Sequence, residues 1–377
     1  MSRHADLAGR VLWGLAALLA LGQALEPQSA WSHWDAWAVW DFKARALLEF
    51  HGRIGAWLRD PGYAFTHPEY PLAWPAMLAV PGWLAGGFDP RWARLVSVPF
   101  AIALPPLLAG LLADLGVRRG RWLIAGAVAC LPRVLEQSAN GYADWPLAVV
   151  ETAALRLVVR AVRGDAPGIL PACGAALLAG LAANLKNEGL VFAVAILAVL
   201  ALAVRRGAVR VAAAAGAVLV FLLFALPWRV YADRHGLHAG DFGLPVARVV
   251  QELPGRLTTV VGAVGLEAFG AGPAAGPAGA HGWVDHQAAS WAGAWFLAAW
   301  VLLTGWRRLA GPAVGAVALV LAAQVAAAVG AYCVTVRDVG WLLASSLDRL
   351  MLQWVPAVAA LAAVAAAGGR MKGRESR

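Results

Sequence analysis

Apolar residues along this chain gather into runs of about 17 to 25, separated mostly by short polar turns, and a helix of that length crosses roughly 30 Å of hydrocarbon. Ten such spans can be drawn, at 11–25, 92–116, 122–139, 144–162, 167–184, 188–204, 209–230, 290–305, 311–334 and 348–368. Two segments, 27–91 and 231–289, are too long to be turns. In the first, Trp34 to Phe50 is compatible with a helix. Trp31, Trp34, Trp37 and Trp40 recur there at every third residue, which predicts a helix in the headgroup layer with its indoles on one side. Leu72 to Leu84, carrying Pro75 and Pro81, is too short to span and predicts a second interfacial helix. In the second segment, one short amphipathic piece near Val246 to Leu257 precedes a Gly/Ala/Pro-rich stretch, Phe269 to Gly282, expected to be mobile. The pattern predicts an all-α polytopic membrane protein of about ten transmembrane helices. It falls into a membrane module over 1–230 that includes the outer loop 27–91, a second outer loop over 231–289, and C-terminal helices with a basic tail over 290–377.

Composition agrees with this and charge orients it. Hydrophobic types make up 61% of the 377 residues and charged types 14%, with a mean hydropathy of +0.65, so one aqueous core with a polar surface is excluded. The net charge of +9 would suit a nucleic-acid partner were it not so placed. Arg3 and Arg10 flank the first run, which ends in Glu26-Pro27 without a small-residue cleavage site, predicting a retained span with a cytoplasmic N-terminus. Alternation then puts Arg118, Arg119 and Arg121, Arg160 and Arg163, Arg205, Arg206 and Arg210, Arg307 and Arg308, and the tail from Arg370 to Arg377 inside. The arginines are read as membrane orientation, with no nucleic acid and both termini cytoplasmic. Most carboxylates fall on the other side, so the active surface is expected to face outward. Cys130, Cys173 and Cys333 lie in apolar runs without metal spacing, and no disulfide framework is indicated.

The polar residues that break the apolar pattern at this outer surface are the candidates for chemistry. Asp35 starts the first interfacial helix directly after the first span, where a carboxylate meets lipid headgroups or simply favours a helix N-terminus. Asp41 lies roughly 240° further round and has Arg45 one turn on, which predicts a solvated ion pair. Asp144 opens the fourth span in Asn140-Gly-Tyr-Ala-Asp-Trp-Pro, as a helix cap or as a second carboxylate converging on the cavity of Asp35. Asn184-Leu-Lys-Asn-Glu-Gly189 is a polar knot between two spans. Lys186 is one of only three lysines in an arginine-rich chain, so a compact ammonium that binds phosphate with Glu188 orienting it stands beside a plain turn with an ion pair. His67-Pro-Glu-Tyr-Pro71 is stiffened by two prolines that would fix the directions of His67, Glu69 and Tyr70. Asp348-Arg349 is placed at the opening of the last span, where Arg349 could grip a phosphate bidentately or snorkel. A metal cluster of His235, His238, Asp241, His281, Asp285 and His286 lacks tight two-sided spacing.

Taken in order, these motifs resemble the GT-C class of membrane glycosyltransferases that use polyprenyl-phosphate sugars, such as the protein O-mannosyltransferases and the lipid A aminoarabinose transferases. The resemblance covers about residues 10–230 and returns near Asp348 to Pro356. It rests on Trp34-Asp35-Ala36-Trp37 with Lys43-Ala-Arg-Ala, the turn His67-Pro-Glu-Tyr-Pro, Asp144 at a span start, Lys186-Asn-Glu-Gly189, and Arg349 before Pro356. It implies a lipid-linked sugar donor, a lipid, glycan or protein acceptor, surrounding membrane lipids and a bacterial inner membrane. It also implies that the carrier phosphate sits near Lys186 and Arg349 while Asp35 takes the acceptor's proton, and that Asp144 binds acceptor or sugar or holds Asp35. The family often has paired acids in its first motif, whereas Asp35 precedes Ala36. The base role therefore rests on Asp35, no cofactor is required by the sequence, and a divalent metal is the one the resemblance leaves open. A secondary transporter with an Asp144, Lys186 and Glu188 relay is the alternative, although no internal repeat is visible.

Overall fold

The structure is a computed structural model that describes residues 2–26, 33–164, 169–238, 240, 241, 243–268, 291 and 293–367. The described residues form helices and turns, with no extended sheet among them. Six helical stretches are long and apolar enough to cross a membrane, at 3–25, 90–114, 188–205, 211–234, 312–334 and 339–366, and Ile169–Leu185 is a shorter apolar helix. They belong to α1 (Ser2–Leu25), α4 and α5 (Pro90–Leu95, Val98–Asp114), α10 (Glu188–Arg205), α11 (Val211–Arg234), α14 (Pro312–Val334) and α15 (Val339–Ala366). Between them lie α6 (Arg121–Ala129), α7 (Pro132–Gln137), α8 (Asp144–Arg163), α9 (Ile169–Leu185) and α13 (Ala294–Gly305). One end of this bundle gathers the basic turns after α5, α8, α10 and α13. The other end carries α2 (Phe42–Glu49), α3 (Ala73–Ala85) and α12 (Val246–Ala268), and is called the site end below.

The structure departs from the hydropathy reading at four places, each for a local reason. The span expected over 122–139 is broken into α6 and α7, because Pro132 lacks an N–H and forces Leu131 to an extended ψ of 132°. The last helix opens at Val339, not near 348, capped by Asp338, whose carboxylate accepts from Trp341 N at 2.7 Å. Asp348 and Arg349 therefore lie inside α15 rather than at its opening. The short piece expected at Val246 to Leu257 is a 23-residue helix, α12, which tolerates Pro254 on an exposed face. The stretch Phe269 to Gly282 lies outside the described residues. Finally, the tryptophan stripe does not keep to one side. Ala36–Asp41 forms a wider π-helical turn, so Trp34 stays 57% exposed while Trp40 is buried at 1%. A helix, α3, does form over the stretch expected to be the second interfacial helix, with Trp83 and Leu84 exposed on it.

Packing between α1 and α6 depends on glycine. A Cβ at Gly9 would fall on the backbone of Trp122, and one at Gly126 on the carbonyl of Gly9, so the two helices touch main chain to main chain. Around this contact Trp13 stacks on Trp122 at 5.7 Å and Arg10 lies 5.0 Å from the same indole. Deeper in the bundle, alanines of α9 (Ala172, Ala175, Ala176, Ala179, Ala182) are fully buried and let its neighbours approach closely. Gly9→Val is expected to destabilise the fold by at least about 1–3 kcal/mol, the range for overpacking. Gly14→Val, whose Cβ meets nothing within 4 Å, is the control and should leave thermal unfolding of the detergent-solubilised protein unchanged.

Candidate functional site

The site end is held by buried charges. Lys186, in the turn between α9 and α10, donates from Nζ to Asp144 Oδ1 at 2.8 Å and lies 2.9 Å from Glu188 Oε1. Asp144 is the first residue of α8, yet its carboxylate does not cap that helix. It is fully buried, accepts also from Gln353 Nε2 at 3.0 Å, and leaves Oδ2 without a hydrogen-bond partner. Burial alone would pull the Lys186 ammonium down. Asp144 and Glu188 outweigh it and hold the group above its ordinary value, so it stays charged. The turn exists because Gly189 lacks a side chain, since a Cβ there would strike the carbonyl of Ala182 in α9.

One helical turn before Gln353 on α15, Arg349 donates from Nη1 to Asp35 Oδ2 at 2.5 Å and from Nη2 to Ser345 O at 2.7 Å, with its guanidinium 4.8 Å from the ring of Tyr142. Asp35 makes no capping bond to the helix it begins and stays 33% exposed at its side chain, against 13% for Arg349. α15 thus joins both acids: Arg349 holds the accessible carboxylate and Gln353 the enclosed one. Five of the residues singled out in the sequence, Asp35, Asp144, Lys186, Glu188 and Arg349, meet in this network.

His67, Glu69 and Tyr70 form a neighbouring turn. His67 takes a left-handed φ of 54°, and its Nδ1 lies 3.1 Å from Glu69 Oε1. That hydrogen bond raises the imidazole's pKa against the opposing effect of burial. Tyr70 is sandwiched between Trp40 at 5.6 Å and His67 at 5.1 Å, and Lys186 and Glu188 are close enough to act on its phenol electrostatically. Lys43 is wholly buried beneath the turn and donates from Nζ to the carbonyls of His67 at 2.6 Å and Tyr70 at 3.3 Å. Burial lowers its pKa to about 7, with Glu69 opposing. The two prolines and this lysine together fix the turn against the network.

Other residues were not legible in the sequence. Asp41 is not in a solvated pair with Arg45, which bonds Glu49 instead. It is buried and takes both terminal nitrogens of Arg94, at 2.9 and 2.5 Å, because the π-helical turn rotates it inward. Gly141, at a φ of 82°, leaves the space that Arg94 fills and accepts from Trp74 Nε1 at 2.9 Å, tying the interfacial layer to the turn before Asp144. Glu151 lies two turns beyond Asp144 on the same face of α8, buried, accepting from Gln324 Nε2 at 2.9 Å. An acid inside an apolar span was the signal for it. Arg133 gathers Glu136, Asp348 and Glu267 at 2.7, 3.6 and 4.0 Å. Arg229 bonds Asn187 Oδ1 at 2.7 Å, adding a cation close to Glu188.

No metal centre is assembled among the described residues: no group of three or more His, Cys, Asp or Glu is placed to hold an ion. Of the suspected six, His235 packs on Tyr231 at 4.2 Å and Asp241 pairs with Arg337 at 2.7 Å, while His281, Asp285 and His286 lie outside the described residues. Asp35 faces a guanidinium where a metal would need anionic ligands.

The structure aligns with the crystal structure of ArnT from Cupriavidus metallidurans bound to undecaprenyl phosphate, with a TM-score of 0.54 and 16% sequence identity over 94% of this chain. The chain has an ArnT-like membrane fold. It spans 59% of the length of that chain. No family model matches the sequence, and no curated protein matches it. The similarity is thus one of fold, and it agrees with the all-helical membrane architecture expected from the hydropathy pattern.

Two outcomes test this description. Lys186→Met strips Asp144 of its cation and is expected to cost about 3–5 kcal/mol, the loss when one partner of a buried pair is removed. Asp144→Leu in the same chain should recover most of that thermal stability. For Lys43, the folded value of about 7 lies below the ordinary 10.5. The unfolded chain therefore binds more protons between these limits, so stability rises with pH across them, by up to about 1.4 kcal/mol per unit. Unfolding midpoints between pH 7 and 9 should show this slope, and Lys43→Met should flatten it.

Proposed function

We propose that this protein is a membrane glycosyltransferase that moves a sugar from a polyprenyl-phosphate carrier to an acceptor at the site end of the bundle. The observation that carries the reading is the joining of Lys186 and Arg349, through Gln353 and Asp144, beside a partly exposed carboxylate. The ArnT-like fold supports it, since that protein was crystallised with a polyprenyl phosphate. Lys186 and Arg349 supply the positive charge that a departing phosphate needs. Asp35 is the accessible acid and serves as base, whereas Asp144, enclosed at 0% side-chain exposure, holds Lys186 in place and does not meet the acceptor. His67, Glu69 and Tyr70 wall the donor's sugar, and Glu188 sets the Lys186 ammonium.

Arg349 is paired with Asp35. An arriving phosphodiester competes for that guanidinium and releases the carboxylate, so donor binding itself frees the base. The acceptor oxygen then attacks the anomeric carbon and the bond from that carbon to the phosphate oxygen breaks. The acceptor's proton passes to Asp35, and the polyprenyl phosphate leaves as an anion against Lys186 and Arg349. One base and one stabilised leaving group suit a single displacement with inversion.

The transporter reading has one observation of its own, the Glu151 and Gln324 pair, which carries polar groups from Asp144 towards the bilayer interior. The two readings separate in one experiment. In cells lacking the wild-type gene, transfer of radiolabelled sugar from polyprenyl phosphate to envelope acceptors should fall about 100- to 10,000-fold with Asp35→Asn, which keeps shape and hydrogen bonding but not basicity. Arg45→Gln, on the exposed side of α2, should retain activity. Full transfer by Asp35→Asn would remove Asp35 as base, and solute counterflow abolished by Glu151→Gln without any sugar transfer would establish the transporter.

A further inference from the structure

At the opposite end of α8 from Asp144 is a recess of about 410 Å³ lined by Ala113, Asp114, Arg118, Arg121 and Arg163. Its charges are unequal. The single acid, Asp114, is already bonded through Oδ2 to Arg156 Nε at 2.9 Å, while Arg163 donates to the Asp114 carbonyl. Arg156 reaches that acid by lying across Gly110, where a side chain would collide with its guanidinium. Arg118 and Arg121 form no ion pair among the described residues, so the recess carries a surplus of positive charge.

Arg121 is the first residue of α6, and Gly120 before it, at a φ of 69°, turns the chain into that helix. The recess and its three arginines together favour an anion with several oxygens over a carboxylate or a halide. The ring of arginines at this end also marks the level of the membrane surface, where a phosphate carried by a lipid would lie.

We propose that this recess binds a phosphate group, and that an anionic phospholipid head presents it. The site is separate from the one proposed for sugar transfer and does not depend on that reading. The full-length protein, purified with native lipid and studied by native mass spectrometry, gives the test. Wild type in mixed phosphatidylglycerol and phosphatidylcholine is expected to retain phosphatidylglycerol selectively. Arg118→Gln and Arg121→Gln should each lower that retention about fivefold and together about 25-fold, as expected of charges at a membrane surface. Arg307→Gln, at the same end but away from the recess, should retain it as wild type does, which separates a site from general surface charge.

Titration with inorganic phosphate distinguishes the sources. No displacement at millimolar concentration supports the lipid head, whereas displacement at micromolar concentration would overturn it in favour of a soluble phosphate. Equal retention by wild type and the double variant, or equal loss with Arg307→Gln, would overturn the site altogether. Unchanged unfolding temperatures of the variants establish that any loss is one of binding, since neither Arg118 nor Arg121 holds a buried partner.

Discussion

An ammonium taken out of water must be matched, and the pairing of Lys186 with Asp144 is the constraint around which the site end is organised. Lys186 sits in a turn made possible by Gly189, Asp144 starts a different helix, and Gln353 on a further helix completes the carboxylate's bonding. Closing this pair fixes α8, α9, α10 and α15 relative to one another at one level of the bundle. The second buried pair, Asp41 with Arg94, does the same for the interfacial layer. Neither pair need add much net stability, since desolvation consumes most of the attraction. Each penalises every arrangement that leaves a charge alone.

Against this closed frame, the pair of Asp35 and Arg349 is open. Its carboxylate is a third exposed, it joins residues 314 positions apart, and it is built from one interfacial turn and one long helix. Arg349 is also steadied from behind, because its neighbour Asp348 faces Arg133 on α7. Within a group of five charged residues, one pair is thus enclosed and the other accessible.

Much of the membrane architecture was legible in the sequence because hydrocarbon imposes a simple rule of length and apolarity. It failed where local geometry overrode composition. Pro132 split an apparently continuous span, and Asp338 started α15 earlier than hydropathy suggested because Ser345, Ser346, Asp348 and Arg349 interrupt its apolar run. In the site, Asp35, Asp144, Lys186, Glu188 and Arg349 stood out as charges at the ends of apolar runs. Their partners did not, since Gln353 and Gln324 are neutral residues within spans and their meaning depends on which acid the tertiary fold brings opposite. Asp41 was misread because a regular helix places it beside Arg45, and nothing in Ala36–Asp41 announces a π-helical turn.

The contact between α1 and α6 has a consequence for synthesis. Gly9 meets the backbone of Trp122, more than a hundred residues later, so α1 enters the bilayer long before its partner exists. At about 5–20 residues per second, the first span waits on the order of ten seconds with a bare glycine face turned to lipid or to the insertion machinery. The small groove keeps a place into which the later helix can slide.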